Sequence, residues 1–211
     1  MANSKGSLRR RVRPRAPRMS GDARRQEILR CALRAFSRAS YARVTTAEIA
    51  REAAISEAAL YKHFASKKEL FIELVRSIGD RMIAKWQEIA AGAPTPGEAL
   101  RLIGRRHLEK ALANKDYTVV MSQAFSEVHD EEVRSALSDV YGRYVDFLEK
   151  LVAGAGGKRR SNGARFAAWS LVSLGSAMNL FASIDLDVDL IRGNLDKFCR
   201  HFLDSNAWRK P

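Results

Sequence analysis

The side chains whose types and spacing could do chemistry are concentrated in residues 45–68, TTAEIAREAAISEAALYKHFASKK. Ser56 is a good N-cap, and the helix it opens is expected from Glu57 to about Phe64. Leu60 and Phe64 are four residues apart and face inward together. At about 100° per residue, Ala58, Tyr61, Lys62 and Ala65 then point away from that core. A short helix that shows solvent a tyrosine, a lysine and small side chains suits a DNA major groove, which admits one helix and rewards close approach. Just upstream, Ile49, Ala50 and Ala53 mark the inner side of another short helix. A tight connection through Ala54 and Ile55 joins the two, the pattern of a helix-turn-helix. The chemistry expected here is recognition of a duplex, not bond making.

Catalytic and metal-binding patterns are weaker. The four histidines, His63, His107, His129 and His201, form no His-Glu-x-x-His pair. Gly154-Ala-Gly-Gly-Lys158 is similar to a phosphate loop, but Val152 stands where the first glycine belongs, Arg159 follows the lysine, and no strand precedes it. His129-Asp130-Glu131-Glu132 could bind a metal, yet acids at a helix start are ordinary complements of the helix dipole. No enzyme activity, cofactor or metal is expected.

The elements that position the recognition segment are helices. Ile28, Leu29, Ala32, Leu33, Ala35 and Phe36 mark one face of an upstream helix. Thr45-x-x-Glu48, Ser66-x-x-Glu69 and Thr95-x-x-Glu98 are capping boxes, each ahead of an apolar-periodic run. Pro96 follows the third cap, where its missing donor costs nothing. No proline occurs between Pro96 and Pro211, which leaves room for long helices near 67–91, 97–114, 116–128, 130–153, 162–183 and 188–204. No sustained strand alternation occurs. The fold class expected is all-α, with a three-helix head and a larger C-terminal bundle. The divisions expected are a basic disordered tail over 1–19, a DNA-binding head over 20–66, and a ligand-binding and dimerisation domain over 67–211.

Charge agrees with this division. The net charge of the 211 residues is +13, of which residues 1–19 carry +7, residues 20–68 carry +5 and the rest only +1. A polyanion should therefore meet the N-terminal third. The tail, rich in arginine with Pro14 and Pro17, cannot bury enough apolar surface to order itself. It is either a solubilising extension or an arm that follows phosphates. The basic start has no apolar segment after it and is not a secretory signal. Cys31 and Cys199, far apart within helical patterns, read as reduced thiols, and a cytoplasmic location is expected. The uncharged run 166–184 is long enough for a membrane span. Ser170, Ser173, Ser176 and Asn179, however, give it a small polar face, so a buried or interface helix is expected and no membrane partner.

The run Thr46-Ala47-Glu48-Ile49-Ala50, then Ala54-Ile55-Ser56, then Leu60-Tyr61-Lys62-His63-Phe64-Ala65-Ser66-Lys67-Lys68-Glu69-Leu70, resembles the signature of the tetracycline-repressor (TetR) family over residues 22–72. The resemblance implies a dimeric transcriptional regulator that acts by repression. It implies that Thr45 and Thr46 touch phosphate and that Ser56, Tyr61 and His63 contact backbone or bases. It further implies that Lys62 reaches DNA and that Lys67 binds phosphate at a helix start, where anions are favoured in any case. Alanines stand at 54 and 58 where the family often has glycine, and the Ala58 methyl could meet a thymine methyl. Each side chain alone has a plainer role. Tyr61 could pack on the head, His63 could bond locally, and the lysines could be solvated. Their joint spacing favours DNA.

The resemblance also implies that the helices near 162–183 and 188–204 pair two subunits, so that a dimer meets a palindromic operator. On the last helix, Leu190, Ile191, Leu195, Phe198, Cys199 and Phe202 form an apolar stripe. Helices over 67–153 would enclose a small, largely hydrophobic effector. Candidate lining residues are Met82, Trp86, His107, Met121, Phe125, Tyr144 and Trp169, each of which could also be plain core. The alternative is a sequence-independent, architectural DNA binder that exploits the basic tail.

Overall fold

Hydroxyl and carboxylate caps start six of the eight described helices, and they explain where those elements begin. The computed structural model describes residues 20–113, 115–155 and 163–184, with the isolated positions 186, 189, 190, 193, 194 and 197. The described residues form an all-α fold: α1 (Gly21–Arg38), α2 (Thr46–Glu52), α3 (Glu57–Tyr61), α4 (Lys67–Gly92), α5 (Pro96–Ala113), α6 (Asp116–Ser126), α7 (Glu131–Ala155) and α8 (Gly163–Ser183). Thr45 and Glu48 close a complete capping box on α2. Ser66 accepts from the Glu69 amide at 3.0 Å, but the Glu69 carboxylate reaches back to Ala65 N, at 2.7 Å. Thr95 caps Glu98 N at 3.2 Å, with Pro96 as the first residue of α5. Asp130 accepts from the amides of Glu132 and Val133 and takes Lys68 at 3.2 Å. The acidic run at 129–132 therefore caps α7 and ties it to α4. The basic tail 1–19, the glycines and lysine at 156–158, Cys199 and nearly all of the expected 188–204 helix lie outside the described residues.

The head packs α1, α2 and α3 around Ile28, Leu29, Phe36, Ile49, Leu60 and Phe64, all sealed from solvent. The first turns of α4 complete this core with Leu70 and Phe71, whose ring meets Phe36 edge-on at 5.0 Å. Arg25 fastens the assembly: its guanidinium pairs with Glu73 of α4, donates to the His63 carbonyl, and stacks 4.2 Å from the Phe64 ring. Cys31 is a buried free thiol whose pKa is raised by burial.

Beyond the head, α4 continues into a bundle with α5, α6, α7 and α8. A Cβ at Gly79 would lie 2.9 Å from both methyls of Val140, so α4 and α7 cross there too closely for any side chain. Helix α8 is long and apolar enough by composition to cross a membrane, yet it packs along α5, α6 and α7. Part of its small-residue face is turned inward. Gly175 lies against His107 of α5, and Gly175, Ser176 and Asn179 line an internal cavity. The hydroxyls of Ser170 and Ser176 donate back to Phe166 and Val172 carbonyls of their own helix. What α8 leaves outside is large and apolar: Phe166, Trp169, Leu180 and Ile184 are all exposed.

Candidate nucleic-acid interface and ligand cavity

Leu60 and Phe64 anchor the third helix. Both are buried, at 0% and 1% exposure, while Tyr61 is 46% exposed and Ala58, Lys62 and Ala65 lie at the surface. The helix itself is shorter than its spacing suggests. It ends at Tyr61, and residues 62–63 form a turn in which Phe64 N still bonds to Leu60 O at 3.1 Å. That last bond keeps Phe64 stacked beneath Leu60 although the helix has stopped. His63, placed in this turn, is half-buried.

The link from α2 to α3 carries a backbone strain. Ile55 N reaches Ala50 O at 3.0 Å, a Schellman closure, and it puts Ala54 at φ 53°, in the left-handed region. Alanine therefore does not keep a helical backbone at 54. It occupies the position where a missing Cβ would relieve the crowding.

Two expected phosphate ligands are engaged inside the protein. The Thr46 hydroxyl is 2.5 Å from the Glu57 carboxylate and 3.1 Å from the Tyr61 hydroxyl, and the residue is buried. It joins the start of α2 to both ends of α3. Lys67 Nζ donates to the carbonyls of Tyr41 and Val44, at 2.9 and 3.1 Å, and sits 4.6 Å from the centre of the Tyr41 ring. Its charge holds the loop between α1 and α2. Thr45 and Ser56 accept amide bonds as caps, and each hydroxyl keeps a proton to donate outward. Sequence reasoning passed over Arg43 and Arg51. Both are exposed, Arg43 in the loop before α2 and Arg51 in its last turn. The positive charge of residues 20–68 was the available signal.

A cavity of about 500 Å³ lies within the bundle. Of the expected lining residues, Met82, Trp86, His107, Met121, Phe125 and Tyr144 all reach it. Trp169 does not. It stands on the outer face of α8, 59% exposed and stacked on Phe166 with ring centres 6.4 Å apart. Periodicity gives a helix its faces but not the neighbour each face meets. Trp86 forms the aromatic centre of the wall, 5.0 Å from Tyr144 and 5.9 Å from Phe147. Burial holds the Tyr144 and Tyr141 phenols neutral by raising their pKa values. Burial likewise lowers the His107 pKa. The Gly175 backbone and Asn179 side chain pull the other way, but neither ring nitrogen closes a full hydrogen bond.

Two helices join this cavity to the head. Helix α4 starts with Lys67 on the loop and continues to Ile78, Met82 and Trp86 on the cavity wall. Helix α6 presents Met121 and Phe125 to the cavity, and between them Gln123 faces the other way. Its Nε2 donates to the carbonyls of Phe36 and Ala39 at the end of α1, at 2.7 and 3.1 Å. No local sequence signal marks Gln123, because its partners lie more than eighty residues upstream. Among the described residues, no cluster of three His, Cys, Asp or Glu side chains is placed to hold a metal.

An exposed helix-turn-helix on an all-helical bundle with an internal cavity defines a DNA-binding regulator of helical build. Residues 28–74 match the model of the bacterial regulatory proteins of the tetR family. The nucleoid occlusion factor SlmA of Vibrio vulnificus is 30% identical over 130 residues, 61% of this chain and 66% of that protein. The protein of the same name from Shewanella amazonensis is 28% identical over 130 residues. The matched stretch thus spans just under two thirds of these relatives. Among solved structures, a putative transcriptional regulator from Pseudomonas aeruginosa superposes with TM-score 0.79 at 18% identity, over 91% of this chain and 95% of that one. FadR from Bacillus subtilis, in complex with stearoyl-CoA, gives 0.69 at 16% identity, over 82% and 96%. At such identities the likeness is one of fold.

Proposed function

We propose that this protein is a ligand-responsive transcriptional repressor that binds a palindromic operator as a homodimer and is released by a small, largely hydrophobic effector. The observation that carries the DNA half is the exposed Tyr61–Lys62 face on its buried Leu60–Phe64 seat. Residues 20–66 act as the head, with Thr45, Ser56, Ala58, Tyr61, Lys62 and His63 turned to the duplex and Arg43 and Arg51 beside them. Thr46 and Lys67 support that surface from within. Because one head covers a short stretch of duplex, two-fold pairing supplies the rest of the specificity. The exposed aromatic face of α8, with Phe166 and Trp169, is the surface proposed to pair.

The effector half rests on the cavity and its two connections. A ligand shifts an equilibrium only by its differential affinity for the two states. Here α4 and α6 each touch both cavity and head, so a ligand that displaces either helix also moves the recognition surface. The likeness to nucleoid occlusion factors keeps a second reading, a sequence-independent, architectural DNA binder. Cytoplasmic location follows from either.

Selection of bound fragments from a random DNA pool tests the proposal. The expected result is one palindromic sequence bound about 10³-fold more tightly than random duplex. Fragments without a shared palindrome, or equal affinity for all, would overturn it and leave the architectural role.

A further inference from the structure

We infer that the cavity is built for an amphipathic anion, an apolar body ending in one acidic oxygen group such as a carboxylate, and that Lys110 receives the acid. The inference rests on the effector reading above and names the chemistry of that same site. Its basis is the composition of the cavity wall. Leu100, Ile103, His107 and Lys110 of α5 line it at successive turns, a row that extends about 15 Å at the rise of an α-helix. The row changes character along its length. Leu100 and Ile103 are buried and apolar, His107 lies with its ring centre 6.5 Å from that of Trp86, and Lys110 ends the row with a charge.

Among the described residues, Lys110 is the one charged side chain in the wall, and no aspartate or glutamate lines the cavity. Its ammonium lies 4.7 Å from the centre of the Tyr117 ring, whose face offers electron density but no negative charge. Tyr117 and Thr118, in the first turn of α6, bring hydroxyls to the same end of the cavity. A neutral ligand seated here would strip water from the ammonium without replacing its hydrogen bonds, which is costly. A cationic ligand would meet like charge and no acid. An acidic oxygen group repays the lost hydration with a charge-assisted hydrogen bond, and its apolar body covers the remaining wall.

The chemistry is tested with full-length protein and three probes of one chain length: decanoate, decan-1-ol and decyltrimethylammonium. Binding is read by calorimetry and operator release by gel shift. Decanoate is expected to bind about tenfold more tightly than either of the others, the scale of one hydrogen bond to a charged group. Lys110→Met should remove that preference while leaving decan-1-ol binding unchanged. Lys110→Arg should retain it, and Lys110→Glu should favour the cation. Thermal melts of each variant establish that the fold is intact. Equal binding of decanoate and decan-1-ol by the native protein, or decanoate binding that survives Lys110→Met, would overturn the inference. If decan-1-ol or the cation releases the operator and decanoate does not, the anion is wrong while the effector reading stands. If no probe binds, the assignment of this ligand class fails; if a wider panel of apolar compounds also leaves the operator bound, the effector reading fails with it.

Discussion

Single side chains in the head carry more internal structure than their exposure in the sequence suggests. Ala54 holds a left-handed backbone at φ 53°, which costs an L-residue roughly 1–2 kcal/mol and costs glycine little. Glycine gives back part of that gain through the entropy of the unfolded chain. Ala54→Gly should therefore stabilise the protein by about 0.5–1 kcal/mol and raise its melting temperature by about 1–4 °C; a scanning calorimeter reads the difference, and a lower melting temperature would contradict the assigned turn. His107 belongs to the same scale. Burial lowers its pKa from the ordinary 6.5, so the unfolded chain takes up the proton first as pH falls. Its contribution to stability is complete above about 6.5 and is lost as pH drops toward the folded value. Melting curves between pH 7 and pH 5 should show a loss that His107→Leu diminishes; an unaltered pH profile would contradict a neutral, buried ring.

Helices transmit what the residues hold, and α6 does so in an unusual way. Its cavity side shows Met121 and Phe125, while Gln123 caps two carbonyls of α1. Gln123→Leu leaves those carbonyls without their donor and should cost about 1–3 kcal/mol. It should also weaken the response of operator binding to a ligand while leaving ligand affinity nearly unchanged. Gel shifts with and without ligand check this, and a full response in the variant would place the coupling in α4 alone. The helices themselves were legible in the sequence because their starts are chemical: Thr45, Ser66 and Thr95 accept amide bonds where the spacing said they would. Partnerships between distant segments were not legible. Thr46 finds Glu57 and Tyr61, Lys67 finds the loop carbonyls, and Gln123 finds α1, all through the fold. Trp169 was misplaced for the same reason, since its helix has two apolar sides and only packing decides which one faces the cavity.

At the scale of the whole molecule, a small head and a hollow bundle share one helix. Lys67 pins the start of α4 to the loop before α2, Arg25 clamps α1 to α4, and Lys68 ties α4 to Asp130 and Glu132 of α7. These contacts join the head to the bundle, and the proposed effector response runs through them. Six of the residues named from sequence line the cavity, with Met82–Trp86 and Met121–Phe125 paired one helical turn apart. The depth and charge of the cavity depended on which helices became neighbours. The most direct measurement concerns the exposed side of α3. The double variant Tyr61→Ala, Lys62→Ala should keep the native melting temperature, because Leu60 and Phe64 remain seated, and should bind the selected operator at least about tenfold more weakly at fixed salt. Native operator affinity in a folded double variant would contradict the assignment of this surface to DNA.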